Sequence, residues 1–236
     1  MLIRDKKHFM TGLVMALGFF ALFFAIMSPL FDGRTGLEYA DDIFNKLSKG
    51  SAYFVPGVMK NIDKVAGKEV SVTIKIDKPE DAQRIAGLLT AAGAKAETTD
   101  GGVKVDGDLN KLLTSAAKDA DYMYKNDGEK VKSAYGYDEK KVLKDWGASL
   151  NKIDKALQEK KEFDSAKVVS EVNRRLIETS YNYYKVESQK VTERAGTMAF
   201  LLIFYVVYTM WWGFALYHLF EGLGLTAKRA KVKKEV

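Results

Sequence analysis

The chain carries no cysteine, and its 236 residues include only two histidines, His8 and His218. That removes disulfide frameworks, cysteine-ligated zinc, iron–sulfur clusters and thiol nucleophiles. No Walker A loop, GxSxG elbow or HExxH pair occurs either. With no catalytic constellation, the expectation is a protein that is not an enzyme. Excess charge is also scarce in the middle of the chain. The net charge is +6, but residues 1–8 and 221–236 hold eight Lys/Arg against three Asp/Glu, whereas 32–195 hold 29 against 28. Basicity confined to the tails flanks apolar segments and leaves no nucleic-acid footprint.

What is present in quantity is apolar run. Residues 9–31 and 196–220 are 23 and 25 residues long without a charge, each long enough to cross the roughly 30 Å hydrocarbon core as a helix. For the first, a cleaved signal peptide is the alternative, but such apolar regions are typically about 7–15 residues, and no A-x-A-like site follows. Cationic residues precede the first run (Arg4, Lys6, Lys7) and follow the second (Lys228, Arg229, Lys231, Lys233, Lys234). The positive-inside rule then puts both tails in the cytoplasm of a bacterial inner-membrane protein, with 32–195 in the periplasm. The last five cations are expected to meet anionic lipid headgroups.

In the first run, Gly12 and Ala16, then Ala21 and Ala25, are small residues four apart, a spacing that lets helices approach closely in lipid. The second run is aromatic, with Tyr205, Tyr208, Trp211 and Trp212 among its members. These residues are read as a surface for other membrane subunits; lipid-facing bulk with an interfacial belt is the alternative.

The charged middle changes periodicity several times. Thr35-Gly36-Leu37-Glu38 is a capping box opening a short helix that Lys49-Gly50-Ser51 breaks, and a second helix follows Pro56. Val70, Val72, Ile74 and Ile76 alternate as in a strand; Pro79 opens a helix that Gly93 stops; two more strands flank Asp100-Gly101-Gly102; and Asp108 caps another helix. This β-α-β-β-α order resembles part of a ferredoxin-like module and licenses no function. Two heptad-patterned stretches complete the middle. Leu143, Trp146, Leu150, Ile153 and Leu157 line one, and Val169, Val172, Leu176, Thr179, Tyr183 and Val186 line the other, which Asp164 is expected to cap. No helix breaker precedes Gly196 in the second, so it is expected to run unbroken from about Ser165 through the apolar run, about 84 Å.

The fold expected is therefore a membrane protein: two transmembrane helices flanking an extracytoplasmic α+β domain, whose helical hairpin continues into the second span. Candidate chemistry is thin. His8 and His218 fall at the same end of their spans, where two imidazoles can ligate haem b or line a quinone site; ordinary interfacial contacts are the alternative, and no cofactor is the main expectation. Glu38, Tyr39, Asp41 and Asp42 read as a helix start, and Asp100, Asp106 and Asp108 as turn residues without calcium-loop spacing. Tyr181 and Tyr184 fall off the heptad seam and are expected to be exposed and to contact a partner.

The layout resembles the input half of bacterial transmembrane receptors, from which it departs in having only 16 residues after Phe220. The expected function is a non-catalytic two-pass subunit that binds other integral membrane subunits, with self-association also open. One alternative is a sensory domain coupled to a signalling partner through the continuous 165–220 helix; a second is a haem- or quinone-associated subunit.

Overall fold

The computed structural model describes residues 3–225. In chain order its main elements are α1 (Lys6–Met27), α2 (Gly36–Ser51), α3 (Val55–Ile62), β1 (Glu69–Lys75), α4 (Pro79–Ala91), β2 (Lys95–Thr99), β3 (Gly102–Asp108), α5 (Leu109–Tyr124), α6 (Gly128–Tyr135), α7 (Glu139–Glu159), α8 (Phe163–Val172), α9 (Glu178–Tyr183) and α10 (Ala195–Leu223). They form two compact units. One comprises residues up to 47 and from 189 onward, and the other is Ser48–Ser188.

In the first unit, α1 and α10 are long and apolar enough to cross a membrane. Asp5 caps α1 by accepting from Lys7 N and His8 N at 2.9 and 3.1 Å, and the helix ends at Met27, ahead of Pro29. The two helices pack antiparallel: the amides of Arg4 and Asp5 donate to Gly222 O at 2.8 and 3.0 Å. Glycine makes this approach possible. A Cβ at Gly12 would lie 2.6 Å from Leu219 N, and one at Gly222 would lie 2.5 Å from Phe9 N. The capping box opening α2 forms as expected, with Thr35 Oγ1 accepting from Glu38 N and Glu38 Oε2 accepting from Thr35 N. The expected break at Lys49-Gly50-Ser51 is found, with α2 ending at Ser51.

The second unit is mostly helical around a small antiparallel sheet of order β1-β3-β2. The alternation read in β1 is real: Val70, Val72 and Ile74 are buried and face Gly107, Val105 and Val103 of β3. Helices α4 and α5 add Ile85, Leu88, Leu89, Leu109, Leu112 and Leu113 to one continuous core. The α7 seam of Leu143, Trp146, Leu150, Ile153 and Leu157 is buried along its length, and Val169 and Val172 of α8 join it. At about 1.5–3 kcal/mol for each such side chain removed from water, this core belongs wholly to residues 48–188. Asp108 and Asp138 cap α5 and α7 through Lys111 N and Lys141 N. Asp164 does not cap: α8 begins two residues earlier than expected, at Phe163 after Glu162.

The long continuous helix is corrected by the structure. Residues 173–177 form a wide π turn between α8 and α9, marked by Glu178 N donating to Asn173 O five residues back. One π turn inserts a residue into the helical period and rotates the next helical segment by about 100°. The buried face therefore passes through Leu176, Ile177, Ser180 and Tyr184 instead of Thr179 and Tyr183. Helix α9 then stops at Tyr183; Tyr184 is extended and Lys185 takes φ +66°. A short 3-10 turn at Val191–Arg194 precedes α10. With no Gly or Pro at the stop, its cause is tertiary.

Candidate functional site

Lys49, in the last turn of α2, is 2% exposed. Its ammonium donates to Asn126 Oδ1 at 2.9 Å, Tyr183 O at 3.0 Å and Val186 O at 2.7 Å. Asn126 completes the clamp, accepting from Lys185 N at 2.8 Å and donating through Nδ2 to Val186 O at 3.0 Å. A cation thus gathers the Tyr183 carbonyl at the end of α9, which also accepts from Val186 N at 3.1 Å, and the Val186 carbonyl just beyond it, much as a C-terminal glycine motif does. Burial pulls the Lys49 pKa below the ordinary lysine value, and Tyr124 Oη donates to the Lys49 carbonyl.

Two further polar groups lie inside the domain. Asp119 Oδ2 accepts from Trp146 Nε1 at 2.8 Å and Tyr135 Oη at 2.6 Å. Burial raises the Asp119 pKa against the lowering effect of those two donors. Arg84 grips Asp145 through Nε and Nη2 at 2.6 and 3.0 Å, and Nη2 also reaches Asp81 at 2.6 Å. Tyr137 Oη donates to Asp145 at 3.2 Å. Both groups are satisfied internally, as buried charge requires.

Tyr184, expected on the surface, is buried, because the π turn rotates it inward. Its hydroxyl donates to Glu139 Oε1 at 2.8 Å, and burial first, then that carboxylate, pushes its pKa up to about 12. Tyr181 stays exposed, with Lys140 Nζ 5.3 Å from its ring centroid. It lies on a groove of about 450 Å³ between α7 and the π turn, walled also by Gly147, Ala148 and Lys144 and floored by Asn173. Asn173 is 1% exposed, and neither its Oδ1 nor its Nδ2 has a hydrogen-bond partner.

In the apolar pair, Gly12 and Ala16 are buried, and the backbone of α10 at Ala215 and Leu219 fills the space over Gly12, so this small-residue face serves the chain itself. Ala25 is half-buried and Ala21 exposed. The aromatics divide. Tyr208 Oη donates to Phe19 O at 3.2 Å, Trp211 Nε1 donates to Met15 O at 3.0 Å, and Trp212 lies 4.8 Å from the Phe19 ring. Tyr205 points away and is 66% exposed. His8 and His218 do meet, with Nδ1 atoms 2.9 Å apart and rings stacked at 5.1 Å, a spacing that fits one shared proton. Two imidazoles holding one iron from opposite sides need donors about 4 Å apart, twice an ordinary metal–imidazole bond, so the two Nδ1 atoms as placed are too close to do so.

Glu38 is occupied in the capping box, Asp42 pairs with Lys46 at 2.9 Å, and Asp41 accepts from Asn45. Tyr39 stacks on Phe31. Asp106 accepts from Ser71 across the sheet and pairs with Lys104 along its own strand, Asp108 is a helix cap, and Asp100 lies in the β2–β3 turn. No group of three or more metal-ligating side chains occurs among the described residues. Lys228, Arg229, Lys231, Lys233 and Lys234 lie outside the described residues. The chain matches no protein-family model, no curated protein and no solved structure.

Proposed function

We propose that the chain is a non-catalytic, two-pass subunit of a bacterial inner membrane, with both tails cytoplasmic and the 48–188 domain outside, where it binds a partner protein. One observation carries the reading. The apolar windows of α1 and α10 are only 6% buried, and side chains such as Val14, Leu17, Phe24, Phe200, Leu202 and Ile203 are 61–64% exposed. A soluble core helix of this hydropathy hides most of its surface; here over a dozen large apolar side chains face outward. At roughly 1 kcal/mol for each half-exposed side chain, water would cost more than a domain's whole stability of about 5–15 kcal/mol. Lipid, or the helices of other subunits, removes that cost. The start of α1 beside the end of α10 supports the reading that both tails lie on one membrane face. The interrupted 173–190 segment offers no rigid rod to the second span, which weighs against the signalling alternative.

The absence of native cysteine makes the test clean. Lys6→Cys and Lys161→Cys variants are expressed separately and intact cells are treated with a membrane-impermeant maleimide. Labelling of Lys161→Cys alone, with carbonate-resistant retention in the membrane, is expected. Labelling of Lys6→Cys alone reverses the topology, and extraction by carbonate removes the membrane reading.

A further inference from the structure

The small sheet has one edge covered and one edge open. Its ladder continues past β1 and β3, where Leu109 N donates to Lys68 O at 2.9 Å. In an antiparallel pair, residues that exchange bonds alternate with residues that do not. Counting from that end, Val70, Val72 and Ile74 bond Gly107, Val105 and Val103, and Ser71 and Thr73 turn their main chain away from β3. Helix α7 packs against β1, and Lys160, just past its end, donates through Nζ to Ser71 O.

The same count carries through β3 into β2. Gly102, Lys104 and Asp106 are left to bond Thr99, Glu97 and Lys95, so Ala96 and Thr98 each turn an N–H and a C=O to the outside. No other described residue bonds these groups.

Proteins blunt open edges with proline, bulges, covering elements or charge. Strand β2 has no proline, its register with β3 is unbroken from Lys95 to Thr99, and four of its five residues are exposed. In the neighbouring α4, the exposed residues from Gln83 to Ala91 are Gln83, Gly87, Thr90 and Ala91, which add little bulk beside the edge. The charges on β2 cancel. Lys95 and Glu97 share the open face, their side chains 76% and 62% exposed, and pair with each other at 3.4 Å.

That pattern selects the occupant. When two copies of β2 pair antiparallel about a two-fold axis at Ala96, Lys95 of each lies opposite Glu97 of the other. A strand with base and acid two residues apart is thus its own complement. The two Ala96 residues exchange both of their bonds. Pairing about Glu97 instead sets like charges face to face, which destabilises a sheet. Pairing about Thr98 leaves both charges opposite the uncharged Thr99 and Gly101. A symmetric contact of this kind also closes on itself, so it ends at two copies.

We infer that β2 is a docking edge for a second copy of this chain, the two three-stranded sheets joining into one of six strands with Ala96 on the axis. Five residues a side fall well short of the roughly 1,200–2,000 Å² of a standard interface, so isolated domains stay apart in dilute solution. Chains confined to one bilayer meet at a higher effective concentration. Pairing at ordinary expression levels therefore rests on the membrane reading above.

The test uses the full chain with a single cysteine, oxidised by copper–phenanthroline in freshly lysed cells and read as disulfide dimer in whichever fraction holds the chain. Residues opposed in a hydrogen-bonded pair have Cα atoms about 5.5 Å apart, within disulfide range. Ala96→Cys is expected to cross-link about tenfold faster than Lys161→Cys, which lies in the turn after α7 and reports collision alone. Adding Lys95→Glu turns both cross-strand attractions into repulsions and should slow the reaction about tenfold. Adding Glu97→Lys as well rebuilds the pair with its signs exchanged and should restore the rate, which a general effect on folding would not do. Equal rates for Ala96→Cys and Lys161→Cys overturn the proposal. So does a Lys95→Glu loss that the double exchange leaves unrepaired, or faster cross-linking of Glu97→Cys or Thr98→Cys than of Ala96→Cys. A chain that passes the topology test and fails here loses the edge pairing alone; one that cross-links from a soluble fraction loses the membrane reading alone.

Discussion

Lys49 shows how one side chain decides where a helix stops. Its ammonium bonds three acceptors from two separate stretches of chain. Methionine has similar length and no donors, so Lys49→Met removes three charge-assisted bonds, while each acceptor keeps one other donor: Lys185 N on Asn126 Oδ1, Val186 N on Tyr183 O and Asn126 Nδ2 on Val186 O. At about 1.5–3 kcal/mol for a hydrogen bond to a charged group, offset by the ammonium no longer being desolvated, a loss of about 2 kcal/mol in urea denaturation is expected; a loss under 0.5 kcal/mol would remove the capping role. Asp119 permits a finer experiment. Both its donors converge on one oxygen, which asparagine retains. Asp119→Asn should stay within about 1 kcal/mol of wild type at pH 7, while Asp119→Ala strands Trp146 Nε1 and Tyr135 Oη and should cost about 2–4 kcal/mol. The pH dependence comes from the raised pKa. Between the unfolded value and the raised folded one, the folded state binds more protons, so this group's contribution to stability is greatest below the unfolded value and falls as pH rises through the folded one. The difference between wild type and Asp119→Asn, measured from pH 3 upward, should fall with pH and then level off. A difference that grows with pH would reverse the assignment.

At the scale of elements, the tyrosines adjoining α9 report the helical register. An uninterrupted α-helix exposes Tyr181 and Tyr184 alike; the π turn buries Tyr184 and leaves Tyr181 outside. Tyr184→Phe should therefore cost about 1–1.5 kcal/mol through the lost bond to Glu139, and Tyr181→Phe less than 0.5 kcal/mol. Equal effects would argue for the simple helix. The same segment shows what a sequence can and cannot convey. Strand alternation in β1, the caps at Thr35 and Asp108 and the α7 seam are local signals, carried by residues within a turn or two of one another, and they were legible. The meeting of His8 with His218 was legible in part, since both fall at one end of their apolar runs. The end of α9 was not, because its determinants, Lys49 and Asn126, lie 134 and 57 residues before Tyr183 in the chain. The π turn was equally hidden, since Asn173 and Ile177 break the heptad only if the register is already known to shift.

For the whole molecule, the division into two units has an energetic consequence. The buried core of 48–188 is drawn entirely from its own strands and helices, from Val58 to Tyr184. The apolar pair contributes nothing to that core, and its exposed surface is stabilised by whatever surrounds it, so one unfolding free energy does not describe the chain. Residues 48–188 expressed alone should be soluble and monomeric, and should unfold in one cooperative step with a stability on the order of 10 kcal/mol, as for other domains of this size. In the full chain in detergent, urea should melt that step at the same midpoint while α1 and α10 stay helical by far-ultraviolet circular dichroism, because their backbone bonds are satisfied within each helix and urea competes poorly in an apolar surround. An aggregating or molten fragment, or a midpoint shifted by more than about 1 M between fragment and full chain, would mean that the helices hold the domain together, and the independence argued from the core would be lost.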